Sequence, residues 1–290
     1  MYRLKLLFSV LIVSQILANP SWADTTMLGP IWKWEDRFTT QQQNSLINWI
    51  KHSEKGLISL FGPLPYNYNV YFHYAESCQT PIPRAHTDKS TGREVHFRVD
   101  MGHSLESFNK DWTASHELAH LMFPYLGEND RWFSEGLASY LQYQIMYANK
   151  AMSWAQVINK LQEHFKKTKE AKHYDNVSIV NISKDARSVD NYLRLYWGGA
   201  AYFLIADKKL LEEKGMRLND VIREYLKCCT QEKNASAISM IQTFDRISLT
   251  NVFTEVYKET VFQTGFPNTH EALIWLTDHS PEIDTPKTLN

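Results

Sequence analysis

The chain has 290 residues, 43% hydrophobic and 13% aromatic, which is enough apolar material for a sizeable core and too much for a disordered chain. With 31 Lys and Arg against 32 Asp and Glu, the formal net charge is −1, so the composition carries no electrostatic footprint for nucleic acid or an anionic membrane. Its length suits one large domain or two closely packed lobes.

Residues 1–23 read as a secretory signal peptide. Arg3 and Lys5 give a basic start, Leu6 to Leu17 is an apolar run too short to span a bilayer comfortably, and Ser21-Trp22-Ala23 offers small residues for cleavage. The expected product starts near Asp24 and is exported, periplasmic or secreted, with no stable membrane span. Removing Arg3 and Lys5 leaves 29 basic residues and a net charge of −3. In an oxidising compartment Cys78 is expected to bridge to Cys228 or Cys229, which of the two being open; a bridge between the adjacent pair is expected to be strained.

Residues 24–290 are expected to form one domain. Trp32 to Arg37 leads into a helix that Thr39 or Thr40 caps, with Leu46, Ile50, Leu57 and Leu60 at near-helical intervals and Gly62-Pro63 as the stop. Asn69 to Tyr74 and Glu94 to Val99 have strand composition, and Cys78 to Thr91, with two prolines, reads as a loop. From about residue 105 the pattern is helical, with helices predicted around Leu118, from Ser134 to Tyr147, Trp154 to Phe165, Tyr196 to Leu211, Leu218 to Leu226 and Val252 to Phe262. Strands first and helices afterwards predict an α+β fold: a small N-terminal sheet, within about 62–100, packed on a mainly helical lobe at about 105–280.

The chemistry concentrates in His116-Glu117-Leu118-Ala119-His120. Histidines four apart on a helix project from one face about one turn apart, and two neutral imidazoles suit Zn²⁺. Glu117 lies on the adjoining edge of that face, where it reaches a water at the metal without ligating the metal, as a general base must. The apolar Leu118, Leu121 and Met122 imply a buried helix, and buried neighbouring histidines need a partner. A catalytic zinc takes three protein ligands and keeps one open position. Glu135, in a helix that a short turn folds back on the first, is the best third ligand, and Ser139, one turn later, is a candidate to orient a ligand histidine. His73, His86, His96, His103 and His164 have no partner spacing and read as structural or exposed.

The segments His116 to His120 and Trp132-Phe-Ser-Glu135-Gly-Leu-Ala-Ser-Tyr140 together resemble the gluzincin metallopeptidases, especially the aminopeptidase N and glycyl aminopeptidase families. Tyr196-Trp-Gly-Gly199 is similar to the families' Y-x-K-G segment opening a helix, and Thr243 to Ile247 and Val252 to Tyr257 are similar to the closing helices of the glycyl aminopeptidase catalytic domain. The resemblance implies a thermolysin-like catalytic domain, one Zn²⁺ per chain held by His116, His120 and Glu135, Glu117 as general base, and Tyr196 as a donor to the tetrahedral oxyanion. The implied substrate is a peptide or protein, with the strand near Val95 to Val99 as an edge on which it pairs.

Three departures accompany the resemblance. Only fourteen residues separate His120 from Glu135, fewer than is usual in aminopeptidase N relatives; Gly198 stands in place of the lysine of Y-x-K-G; and the strand at 94–99 lacks the G-x-M-E-N sequence that holds a substrate's free amino group. The reading is therefore a zinc peptidase, endo- or aminopeptidase being open, and the alternative is a non-catalytic zinc-dependent binding or scaffold protein that retains the fold.

Overall fold

A computed structural model describes residues 28–89, 92–171, 176–184, 189–230 and 235–283. The proposed signal peptide lies outside the described residues. Four strands form one sheet: β1 (Pro30–Trp34), β2 (Tyr68–Ala75), β3 (Arg84–Asp88) and β4 (Glu94–Asp100), in the order β1-β2-β4-β3. β1, β2 and β4 run parallel and β3 is antiparallel on β4.

The period-two alternation of β2 and β4 gives the sheet one dry face. Val70, Phe72, Val95, Phe97 and Val99 are buried there, and Trp34 stacks on Phe72 at 4.9 Å. Helix α1 (Thr40–Phe61) covers that face through Trp49, whose ring meets Phe97 edge-on at 5.0 Å. Thr39 and Gln42 form its capping box, and Gly62, at φ 83°, ends it. On the other face the register sets Tyr71, His96 and His86 side by side, with His96 stacked on both neighbours and His73 Nε2 3.2 Å from His96 Nδ1.

Three strand expectations are corrected. The lead-in from Trp32 is partly β1. The expected loop from Cys78 contains β3, which the sequence conceals because Arg-Ala-His-Thr-Asp has no apolar alternation. Glu94 to Val99 is not an edge: β4 is paired on both sides, and β3 is the edge beside it.

After the short α2 (Leu105–Lys110) come α3 (Thr113–Leu121), α4 (Arg131–Ala148), α5 (Trp154–Glu170), the short α6 (Ile179–Lys184), α7 (Val189–Lys214), α8 (Leu218–Cys228), α9 (Ala237–Ser248), α10 (Val252–Thr260) and α11 (His270–Asp278). α3 stops three residues before Pro124, whose effect on the residues preceding it is to disfavour helix. The lobe is built on α4 and α7, which cross with almost no space between them. A Cβ on Gly136 would lie 2.4 Å from Gly199 Cα, and one on Gly199 would lie 2.2 Å from the Trp132 carbonyl oxygen. Glycine at both positions is what lets the two backbones meet.

A buried polar knot fixes the far end of this pair. Tyr140 donates to Asp207 Oδ2 at 2.7 Å, Arg217 grips the same carboxylate through Nε and Nη2 at 2.9 and 2.7 Å, and the Leu218 amide donates to Oδ1 at 2.7 Å. Tyr140 is thus buried in this knot with its hydroxyl committed to Asp207.

The cysteine expectation is overturned. Cys228 is bonded to Cys229 at the end of α8, and Cys78 is free. Cys78 is held on the sheet side of the molecule, its amide donating to Asp100 Oδ2 at 2.7 Å, while the adjacent pair ends a helix of the other lobe.

Candidate metal centre

α3 is anchored before it carries any chemistry. Asp111 Oδ1 accepts the Thr113 amide at its start, and at its end the Leu121 carbonyl accepts both Tyr66 Oη at 2.7 Å and Arg93 Nη1 at 2.8 Å. A guanidinium at a helix C-terminus also suits the helix dipole. Leu118, Ala119, Leu121 and Met122 are buried, so the opposite edge of the helix must present His116, Glu117 and His120 to the remaining space.

That space is a cleft of about 470 Å³ between β3, α3, α4 and α7. In it His116 Nε2 and His120 Nε2 are 3.1 Å apart, and Glu135 Oε2 lies 3.2 Å from the first and 3.3 Å from the second. Among the described residues this is the group of three ligand-type side chains whose donor atoms converge closely enough to hold one ion. The structure therefore brings together the three residues expected as ligands, although Glu135 sits in the second turn of α4, a helix that begins at Arg131.

The surroundings fit a metal. His116 Nδ1 is 2.8 Å from Gln142 Oε1, an acceptor, so in the neutral ring that a metal requires Nδ1 would carry the hydrogen and Nε2 would offer its lone pair towards the other two ligands. Burial opposes charge on Glu135, yet the facing His120 and the hydrogen bonds from both histidines hold its carboxyl well below the usual range. Two nitrogens and a carboxylate oxygen form a donor set that suits Zn²⁺.

Glu117 is buried with its carboxylate beside this group, and Thr87 Oγ1 donates to its Oε2 at 2.8 Å. Thr87 is on β3, so a strand hidden in the sequence fixes the direction of the expected base. Tyr196 lies parallel to His116, ring centroids 5.6 Å apart. Burial, then the carboxylates of Glu135 and Glu117, push its hydroxyl far above the usual tyrosine range, which keeps it a proton donor. It does not open a helix: α7 begins seven residues earlier, at Val189. Gly199, one turn after Tyr196, is the crossing point with Gly136 beside Glu135, so the close helix approach sets the tyrosine against the ligand.

A crystal structure of an M1 zinc metallopeptidase from Deinococcus radiodurans is similar at TM-score 0.52 and 14% identity, covering 87% of this chain and 50% of that one. An aminopeptidase N family protein from Idiomarina loihiensis is similar at TM-score 0.59 and 14% identity, covering 84% and 46%. The fold is that of the M1 zinc metallopeptidases. A variant of the Deinococcus protein bound to a Tyr-Ser-Ala substrate matches at TM-score 0.52 and 14% identity, covering 86% of this chain and 49% of that one. The chain thus spans about half the length of these M1 structures. No protein-family model matches the sequence, and no curated protein is similar to it. The M1-like fold, with its small sheet and helical lobe, agrees with the α+β expectation.

Ser139 does not take the role expected of it, and the histidines outside the motif hold structural places. Ser139 Oγ is buried and reaches no hydrogen-bond partner among the described residues; Gln142, one turn further along α4, takes the orienting role proposed for it. Asp130 stands at the N-cap position of α4, but its carboxylate accepts the Ala237 amide at the start of α9 and makes no capping bond to α4. His103 is bonded to the Cys78 carbonyl and His164 to Tyr143, structural positions both. Thr87, Lys89 and Gln142 escaped sequence reasoning. Of these only Gln142 had a signal, since it follows Glu135 by seven residues and so shares its helix face.

Proposed function

We propose that the chain is an exported zinc peptidase that hydrolyses peptide bonds with Glu117 as general base. The observation that carries this reading is the convergence of His116, His120 and Glu135 donor atoms within 3.3 Å, with the Glu117 carboxylate beside them and turned into the same cleft.

His116, His120 and Glu135 would hold one Zn²⁺, which supplies Lewis-acid polarisation of a carbonyl and of water. Glu117, aimed by Thr87, takes a proton from the attacking water and passes it to the leaving amine. The Tyr196 hydroxyl donates to the oxyanion that develops on the scissile carbonyl; a donor in this role is worth about 10²–10³ in rate. An extended substrate pairs with the free edge of β3, the strand that runs along the cleft, and not with β4.

The decisive test is turnover on a peptide library with and without chelator. Glu117→Gln is expected to keep zinc, measured by metal analysis, and to lose at least about 10²-fold in kcat. Glu135→Ala is expected to weaken zinc binding itself. A Glu117→Gln protein as active as the parent, or a parent that binds one zinc and cleaves nothing, would exclude this mechanism, the second result favouring a zinc-dependent binding protein.

A further inference from the structure

The charges on the cleft walls do not suit the free ammonium of an N-terminal residue. Among the described residues three carboxylates line the cleft, and each is engaged: Glu135 with the two histidines, Glu117 with Thr87, and Glu128 with Tyr125 Oη at 2.8 Å and Arg131 Nη1 at 3.4 Å. Three cations share the same walls: Arg84 and Lys89 from the β3 segment, and Arg131 from the first turn of α4. A metal ion among the ligands adds further positive charge.

Two of these cations lie close to the reacting groups. Lys89 feels the charges of both Glu117 and Glu135, and it forms no ion pair with a carboxylate among the described residues. Burial pushes its pKa down to about 7, and an anion placed beside it would favour its charged form. Arg131 also feels the charge of Glu135; its guanidinium lies over the Tyr192 ring at 5.5 Å, and among the described residues its ion pair is the long 3.4 Å contact to the exposed Glu128. A guanidinium has five donors in a fixed fork, more than one long contact to Glu128 occupies, and Arg131 lines the cleft.

We propose that this cleft selects a carboxylate close to the scissile bond, so that its substrates are acidic peptides, and that Lys89 and Arg131 are the residues that select it. The inference rests on the peptidase reading above and names its substrate class. It also sets the site apart from one built to hold an amino terminus, for which the described walls keep no free carboxylate.

Binding to the zinc-loaded Glu117→Gln protein tests the inference separately from turnover. The probes are fluorescent, N-acetylated, C-amidated hexapeptides carrying either one Glu or one Gln, together with Gln peptides left with a free C-terminus. Glu peptides are expected to bind about tenfold to a hundredfold tighter than Gln peptides, the range for one or two charge-assisted hydrogen bonds. Lys89→Met and Arg131→Gln should each shrink that ratio at unchanged zinc content while leaving Gln-peptide affinity alone, and Lys89→Arg should preserve it. Preference only for the free C-terminus would assign the carboxylate to the chain end instead of a side chain. Equal binding of Glu and Gln peptides in both end forms, or a ratio indifferent to both substitutions, overturns the inference. Cleavage of neutral peptides with no such preference would overturn it while sparing the peptidase reading; acidic preference in binding with no turnover by the parent protein would do the reverse.

Discussion

At the scale of single residues, α4 places Glu135 and Gln142 two turns apart on one face, and both address His116. Glu135 meets the metal-facing nitrogen, while Gln142 fixes which nitrogen that is. Gln142→Ala is therefore expected to leave the fold intact and to weaken zinc binding about 10- to 100-fold, read by competition with a chromogenic chelator. His164 tests the fold instead of the site. It stacks on Trp197 at 3.8 Å and bonds to Tyr143, and burial, then the positive Lys160 nearby, lowers its pKa to about 4. The unfolded chain holds a proton at this residue more readily than the folded one does. Its contribution is thus fully present above about pH 6.5 and is lost as pH falls towards 4. Solvent screening at this half-buried ring reduces the full shift to about 1–2 kcal/mol. His164→Phe is expected to flatten that part of the stability–pH curve in urea titrations.

At the scale of elements, two contacts decide whether the residues become a site. The crossing of α4 and α7 at Gly136 and Gly199 draws Glu135 and Tyr196 together. Gly136→Ala inserts a methyl where the facing backbone stands 2.4 Å away, so the helices must separate. The expected cost is about 1–3 kcal/mol by chemical denaturation, even though alanine is the better helix former. The second contact is β3 against α3. Thr87→Val keeps the shape and removes the donor to Glu117 Oε2, and is expected to lower kcat about tenfold with KM unchanged. An equal loss in KM would mean that Thr87 serves binding and not the aim of Glu117.

At the scale of the whole molecule, the metal would tie three parts of the structure together, because α3 supplies two ligands and α4 the third while the sheet aims the base. Zinc bound to the folded state alone raises stability by mass action. Removing it with a chelator is expected to lower Tm by several degrees, reversibly on adding zinc back, whereas Glu135→Ala should show a low Tm that zinc does not restore. No helix among the described residues is long and apolar enough to cross a membrane.

What the sequence determined alone are the features written along one helix. The i, i+4 spacing placed His116 and His120 on one face, the turn after them brought Glu135 forward as the third candidate donor, and the 3.6-residue period with Thr39 and Gly62 delimited α1. The tertiary structure decided everything that depends on what lies opposite. Thr87 and Lys89 sit on or beside a strand with no apolar alternation, His73, His86 and His96 meet only through strand register, and Cys78 is held where Asp100 binds it. The metal motif was legible because its geometry repeats within a few residues of chain. The groups that aim its base and charge its cleft were not, because the backbone pairing and helix crossing that place them join segments far apart in sequence.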